Sequence, residues 1–395
     1  MLSPLTKRMM KTIFLAVTLL ITTLRLQAQP KVDVNKEIEF AKAQYELMLK
    51  ANTDLSRFPQ SVKQDGTLDT RTSDWWCSGF FGGSLWYLYE FTSDDKWKVA
   101  ADKWTMAVEK EKYNKTTHDL GFMLYCSFGN GYRLTNNEQY KDIMLVGAES
   151  LATRFNPKIG LIKSWEEFKG FDYPVIIDNM MNLEFLLWAV KASGNRKFHD
   201  ISITHADNTL KNHFRKDYSS YHVVCYDTAG KVLARKTNQG AADESAWARG
   251  QAWAVYGYTM MYRETGNKKY LNQAINIAKF IASHPNLPSD KIPYWDFNAP
   301  DIPNEERDAS AAAITASALL ELYTYTNDKA QFRLAEDMLA SLSGKVYTAS
   351  PGKNHNFLLK HSVGSKPYKS EVNTPIIYAD YYYLEALLRY SKLLK

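Results

Sequence analysis

Thr265-Gly-Asn-Lys-Lys-Tyr270 lies between two long helical stretches. It reads as a helix end, a tight turn and a new helix start. Beyond it, Tyr270, Ala274, Ile277, Ala278 and Ile281 share one helical face. The same grammar appears in Thr92-Ser-Asp-Asp-Lys-Trp97, Thr135-Asn-Asn-Glu-Gln-Tyr140, Ser193-Gly-Asn-Arg-Lys-Phe198 and Thr326-Asn-Asp-Lys-Ala-Gln-Phe332. Turns this short make the flanking helices antiparallel neighbours. The stretches before the turns, near 79–92, 119–134, 178–193, 246–264 and 308–325, are apolar nearly all round, the mark of buried helices. Those after the turns carry more charge on one face. An outer helix near 34–51 and an inner one near 376–393 complete twelve helices in six pairs.

A varying internal period of about 40 to 70 residues fits a closed ring better than an open solenoid, whose repeat is stricter. The expected fold is all-α, an α/α toroid of six hairpins. Its long insertions fall between an outer helix and the next inner one, so they share one rim. The insertion 214–245 contains Tyr221-His-Val-Val-Cys-Tyr226 and Lys231-Val-Leu-Ala234 around Asp227-Thr-Ala-Gly230, a β-hairpin pattern.

The 395 residues are 45% hydrophobic and 23% charged, ordinary globular values that exclude a disordered or collagen-like chain. Lys7, Arg8 and Lys11 precede the apolar run Thr12-Ile-Phe-Leu-Ala-Val-Thr-Leu-Leu-Ile21, and Ala28 offers a cleavage point. Residues 1–28 read as a secretory signal, too short and Thr-rich for a stable membrane span. They imply export, to the periplasm in a Gram-negative host. Residues 29–395 then form a single barrel domain. Four positive charges and no acid lie in 1–28, so a formal +6 becomes +2 without them. Nothing there favours nucleic acid. Cys77, Cys126 and Cys225 match no metal pattern; one disulfide is open to an exported protein, and buried free thiols are the plainer reading.

Unusual polar and aromatic residues gather at the starts of the inner helices: Asp74-Trp-Trp76, His118-Asp119, Asp178-Asn179, Trp247-Ala-Arg249-Gly-Gln251-Ala-Trp253 and Asp308-Ala-Ser310. In a toroid these starts converge on one bowl, where free helix N–H groups favour an anion. Asp119, Asp178 and Asp308 also suit helix N-caps, and Asp308 is read as one. Arg249, charged among apolar neighbours, needs a partner and suits carboxylate recognition. Two carboxylates at one bowl suggest acid/base chemistry on a sugar, one held protonated by repulsion. No nucleophile elbow, P-loop, dinucleotide fingerprint or metal-binding HExxH occurs, which fits a hydrolase without metal or cofactor.

At these positions the chain resembles the unsaturated glucuronyl hydrolases, glycoside hydrolase family 88. The matching stretches are Trp76-Cys-Ser-Gly-Phe-Phe-Gly-Gly83, Thr117-His-Asp-Leu-Gly-Phe122, Ile177-Asp-Asn-Met-Met-Asn-Leu183, Tyr221-His222, Thr237-Asn-Gln-Gly240, Ser245-Ala-Trp-Ala-Arg-Gly-Gln-Ala-Trp253 and Tyr378-Ala-Asp-Tyr-Tyr-Tyr-Leu-Glu-Ala386. Phe81 and Ala379 depart from the family pattern without removing a reactive group. The resemblance implies an (α/α)6 barrel. It implies removal of a 4,5-unsaturated uronic acid from the non-reducing end of lyase-generated, glycosaminoglycan-type oligosaccharides. Asp178 would be the general acid/base and Asp119 its assistant. Trp76, His118, His222, Gln239, Trp247, Arg249 and Trp253 would line the substrate site.

Three rivals remain at this level: an unsaturated rhamnogalacturonyl hydrolase, an inverting glycosidase of saturated chains and a periplasmic glycan-binding protein. His118-Asp119, Asp178-Asn179 and His222 favour glucuronyl specificity. The segment His361-Ser-Val-Gly-Ser-Lys366 through Lys369 suits a substrate sulfate, though a solvated loop is the plainer reading. Oligomeric state is not legible.

Overall fold

The computed structural model describes residues 31–395. The expected secretory signal 1–28 lies outside the described residues. Among the described residues, twelve α-helices carry the architecture. They are α1 (Val34–Ala51), α2 (Ser78–Thr92), α3 (Asp95–Met106), α4 (Asn130–Thr135), α5 (Glu138–Ala152), α6 (Leu183–Ser193), α7 (Arg196–Asn212), α8 (Ala248–Thr265), α9 (Lys268–Ser283), α10 (Ala309–Thr326), α11 (Lys329–Leu342) and α12 (Ile377–Leu393). A π-helical segment, Gly121–Gly129, runs into α4, and a 3₁₀ turn, Ile177–Asn182, runs into α6.

Each turn that punctuates the sequence is built the same way. The Thr or Ser hydroxyl bonds back to the carbonyl four residues earlier: Thr92 to Leu88, Thr135 to Gly131, Ser193 to Ala189, Thr265 to Met261 and Thr326 to Leu322. The next residue takes a left-handed conformation, with φ of 54° at Ser93, 52° at Asn136, 72° at Gly194, 66° at Gly266 and 53° at Asn327. The residue after that, Asp94, Asn137, Asn195, Asn267 or Asp328, caps the following helix by accepting the N–H two positions on. Such caps contribute about 1 kcal/mol each. The grammar is local, which is why it could be read from sequence.

The inner elements form a closed ring: α2, Gly121–α4, Ile177–α6, α8, α10 and α12, with α12 packed back against α2. Inner helices are buried almost throughout; α2 buries every residue from Ser78 to Leu88. Outer helices bury one stripe, as α9 does with Tyr270, Ala274, Ile277, Ala278 and Ile281. The result is the (α/α)6 barrel. Inside the ring, Arg263 is paired with Glu184, Glu264 and Glu321, and Arg389 with Glu321 and Glu385. Each guanidinium is thus surrounded by acids, two arginines among four glutamates.

Small antiparallel sheets decorate the rim at which the inner helices begin. They are β1 (Phe58–Val62) with β2 (Leu68–Arg71), β3 (Phe155–Asn156) with β4 (Leu161–Ile162), β5 (Pro174–Ile176) with β6 (Val223–Tyr226) and β7 (Val232–Lys236), and β8 (Ser362–Ser365) with β9 (Ser370–Thr374). The expected hairpin is β6–β7, turned at Gly230 with φ 84° and at Asp227, whose carboxylate accepts from Ala229 and Lys231. The structure adds β5 to it and adds the three other pairs, whose strands of two to five residues carry little periodicity. Cys77, Cys126 and Cys225 are free and buried. Among the described residues no helix is long and apolar enough to cross a membrane.

Candidate active site

Asp178 stands in the first turn of the 3₁₀ segment, and its side chain caps nothing. Asp119 precedes the π-helical segment and also does not cap it. Instead Thr117 Oγ1 donates to Asp119 Oδ2 at 2.8 Å, and His118 Nε2 lies 3.4 Å from Asp119 Oδ1. Asp308 is the N-cap of α10, accepting the Ser310 N–H at 3.0 Å. So the capping reading holds for Asp308 and fails for the other two.

Asp178 is buried, with its Oδ2 3.8 Å from His222 Nε2. The His222 tautomer follows from its surroundings. The backbone N–H groups of Asn238 and Gln239 both donate to His222 Nδ1, at 3.2 and 3.1 Å. Burial and the Arg249 charge hold the imidazole well below its usual range, so it is neutral. A neutral ring accepting at Nδ1 carries its proton on Nε2, facing Asp178. Trp247 lies over the same ring at 4.5 Å, fixing its plane.

Burial pushes the Asp178 carboxyl up to about 7; Asp119 adds to the rise, and Arg249 and the Trp253 indole oppose it. Repulsion between the two acids therefore contributes, but desolvation is the leading cause. His118 is held below its usual range by burial, with Asp119 pulling the other way.

Arg249 differs from the sequence expectation. Its guanidinium is buried and already occupied. Nη1 pairs with Asp308 Oδ2 at 3.2 Å and with the Val363 carbonyl, and Nη2 donates to the Gly364 carbonyl at 2.6 Å. The carboxylate it recognises is the protein's own, and it ties β8 to the barrel. It still faces Trp247 and Tyr378 at 4.5 and 5.3 Å from their ring centres. Gln239 donates to the same Gly364 carbonyl at 2.9 Å.

Trp76 and Trp253 share one aromatic wall. Trp76 lies 5.0 Å from Tyr378 and 5.3 Å from Phe122, and Phe122 lies 5.2 Å from Trp253. Asp178 Oδ2, His222 Nε2, Trp253 Nε1, Tyr378 Oη and both His118 ring nitrogens are buried and have no hydrogen-bond partner among the described residues. Buried polar groups are nearly always paired, so such a group of atoms marks a ligand-facing surface. The structure thus gathers all nine proposed residues at the rim. Reading the sequence missed Tyr378 as a lining residue, because a Tyr in an apolar helix looks like core. It also missed Asn182, whose amide joins two segments. Among the described residues no group of three or more His, Cys, Asp or Glu has the arrangement of a metal site.

Lys366 does not present a free charge, since Glu305 and Glu306 both pair with it. Its companion Lys369 is exposed at the hairpin turn, with φ 51°.

Comparison with known proteins agrees with this geometry. The model of Glycosyl Hydrolase Family 88 matches residues 49–279. An unsaturated glucuronyl hydrolase of Formosa agariphila is 44% identical over 98% of this chain and 100% of its own length. An unsaturated chondroitin disaccharide hydrolase of Streptococcus pyogenes is 30% identical over 91% of this chain and 92% of its own. The crystal structure of an unsaturated glucuronyl hydrolase specific for heparin superposes with a TM-score of 0.89 at 50% identity, covering 91% of this chain and 97% of that one. A chain with this barrel, this rim and relatives of this extent belongs to glycosyl hydrolase family 88.

Proposed function

We propose that this glycosidase removes 4,5-unsaturated uronic acid from the non-reducing end of glycosaminoglycan-type oligosaccharides made by lyases. The observation that carries the reading is Asp178: a buried carboxyl raised to about 7, facing a neutral His222 N–H. Relatives named for glucuronyl, chondroitin and heparin substrates support the substrate class.

The substrate is a vinyl ether conjugated to a carboxylate. Protonated Asp178 delivers its proton to C4, and positive charge develops at C5 and the ring oxygen. Water, deprotonated by the resulting Asp178 carboxylate, adds at C5. The hemiketal then collapses and releases the sugar. One residue serves as acid and then base, which a pKa near the working pH favours. Asp119 raises the proton affinity of Asp178. His222 orients the carboxyl, and the Trp76–Trp253 wall supplies apolar planes for the sugar. Arg249 holds the β8 backbone in place and damps the rise at Asp178.

Export belongs to the same reading. Residues 1–28 act as a secretory signal, residues 29–395 as one catalytic domain, and the protein works after export, in the periplasm of a Gram-negative host.

The test follows the ultraviolet absorbance of the conjugated uronate in unsaturated disaccharides from chondroitin, hyaluronan and heparin. Loss of absorbance with the wild-type protein, abolished in Asp178→Asn, supports hydration at C4=C5. Absence of loss on every glucuronyl substrate, with loss on a pectin-derived rhamnogalacturonyl disaccharide, moves the assignment to that rival.

A further inference from the structure

Glu371 has no part in the chemistry above, yet its placement is unusual in three ways. It sits on β9 with φ 53°, a left-handed conformation that side chains with a Cβ adopt only under constraint. It is partly buried and makes no ion pair among the described residues; its one charge-stabilising contact is the Gln60 side chain, which donates to Oε1 at 2.8 Å. Burial pushes its carboxyl up, with Gln60, Arg249 and Arg71 opposing. The other oxygen, Oε2, has no hydrogen-bond partner among the described residues.

Its neighbours place it at the edge of the reaction centre. Glu371 lies opposite Gly364 in the β8–β9 pair, and a Cβ at Gly364 would stand 2.2 Å from Glu371 Oε2. Gly364 is therefore bare where the carboxylate folds across it, while its carbonyl holds Arg249 and Gln239. Burial raises the Cys77 thiol, and the Glu371 and Asp119 charges add to the rise, so both carboxylates lie within electrostatic reach of one atom.

Glu371 also lines a cavity of about 850 Å³ together with Arg57, Lys63, Arg71, Trp75 and Lys369. Trp75 leads into α2, and the cavity's Thr374 and Pro375 lead into α12. The cavity thus lies between the segments that lead into α2 and α12, and Glu371 is the residue of its lining that folds across Gly364, whose carbonyl holds Arg249 and Gln239. Trp75 is 39% exposed, a flat apolar surface large enough for one sugar ring, with the Arg71 guanidinium over its face. A site that cleaves after one terminal uronate needs room for the next sugar, and in glycosaminoglycans that sugar is an amino sugar.

We propose that Glu371 is a specificity residue for the leaving sugar: Oε2 accepts a hydrogen bond from a neutral or cationic donor on the amino sugar and rejects an anionic substituent there. This rests on the reading under Proposed function. A carboxylate gains from an amide N–H and more from an ammonium, whereas an N-sulfo group brings a second negative charge against it. Asp69 and Asp74 also line the cavity and Asp69 pairs with Arg71 at 2.7 Å, so Arg57, Lys63 and Lys369 are the cations left for anionic groups elsewhere on the same sugar. The discrimination is local to Glu371.

The experiment uses three unsaturated disaccharides that share the uronate and linkage and differ only at the hexosamine nitrogen: N-acetyl, free amine and N-sulfo. Their kcat/KM values are compared in the wild type, Glu371→Gln and Glu371→Ala. In the wild type the N-sulfo substrate is expected to be the poorest. In Glu371→Gln its kcat/KM relative to the N-acetyl substrate rises about tenfold, and the free-amine ratio falls by a similar factor. Ratios taken within one preparation cancel any difference in folded fraction. Ratios that stay within about twofold of wild type in both variants overturn the proposal. A wild type inactive on all three disaccharides overturns the reading beneath it instead.

Discussion

The side-chain oxygen of Asn182 accepts the backbone N–H of Gly121 at 2.9 Å, and that of Phe122 at 3.3 Å. This one contact joins the segment bearing Asp178 to the segment bearing Asp119. Gly121 is required at the junction, because a Cβ there would lie 2.6 Å from Asn182 Oδ1. The first N–H groups of a helix have no partner of their own, and the amide of Asn182 supplies one.

Breaking that junction separates the acids. Asn182→Ala leaves two buried N–H groups unpaired, at a cost of about 1–3 kcal/mol. It also weakens the influence of Asp119 on Asp178, which falls with distance. The high-pH limb of kcat/KM is expected to move to lower pH, and Gly121→Ala should move it the same way by pushing from the other side. A limb that stays in place in both variants, despite lost thermal stability, would show that the contact does not set the spacing.

Asp178→Asn should reduce kcat/KM roughly 10²–10⁴-fold, the span of general acid/base catalysis. Stability moves oppositely. The folded carboxyl titrates at about 7 against an unperturbed value of 3.8. Between those values the folded state binds more protons than the unfolded one, so the wild type loses stability as pH rises. The loss is complete above about 7 and amounts to roughly 4 kcal/mol, an upper figure. Asp178→Asn should therefore be more stable than wild type at pH 8 and little different at pH 4. Thermal melts across that range check it; a variant less stable at the higher pH contradicts the burial account.

Asp308→Ala removes the carboxylate that faces Arg249. An uncompensated guanidinium in the barrel costs about 3–5 kcal/mol. The same variant should loosen β8, because Arg249 grips the carbonyls of Val363 and Gly364. Denaturant unfolding reads the first effect, and hydrogen exchange at Val363–Ser365 reads the second. Asp308→Asn, which keeps the cap, should still lose the ion pair, so a stability equal to wild type would count against the pairing.

Lys366→Ala is expected to change kcat/KM for a sulfated disaccharide no more than for its unsulfated partner. Glu305 and Glu306 already neutralise that ammonium. A selective loss on the sulfated substrate would mean that the lysine leaves both acids to bind it.

Much of the barrel could be read before any coordinates, for a physical reason. The Thr265-Gly-Asn267 turn and its four counterparts close on themselves within a few residues, through a hydroxyl, a left-handed residue and a cap. Their consequence, helices alternately buried all round and on one stripe, is periodic along the chain. The π-helical start at Gly121–Gly129 was not legible. It depends on contacts such as that with Asn182, and on Ser127 and Asn130 side chains taking up carbonyls at Met123 and Cys126. The short rim strands were equally silent, because a pair such as Phe155–Asn156 with Leu161–Ile162 has no period to display.

Six helical hairpins, the rim on which their inner members begin, and the residues that meet there follow from the chain alone, because local hydrogen bonds and apolar periodicity are written along it. The surroundings of each of those residues came from the packing of distant segments. Arg249 suits a ligand's carboxylate by its charge, yet it is held by Asp308, 59 positions away, and by a carbonyl 115 positions away. Asp178 acquires its proton affinity from burial, and Glu371 its free oxygen from a glycine across a hairpin. Charge and hydrogen-bonding capacity belong to the residue, but desolvation and partnership belong to the fold.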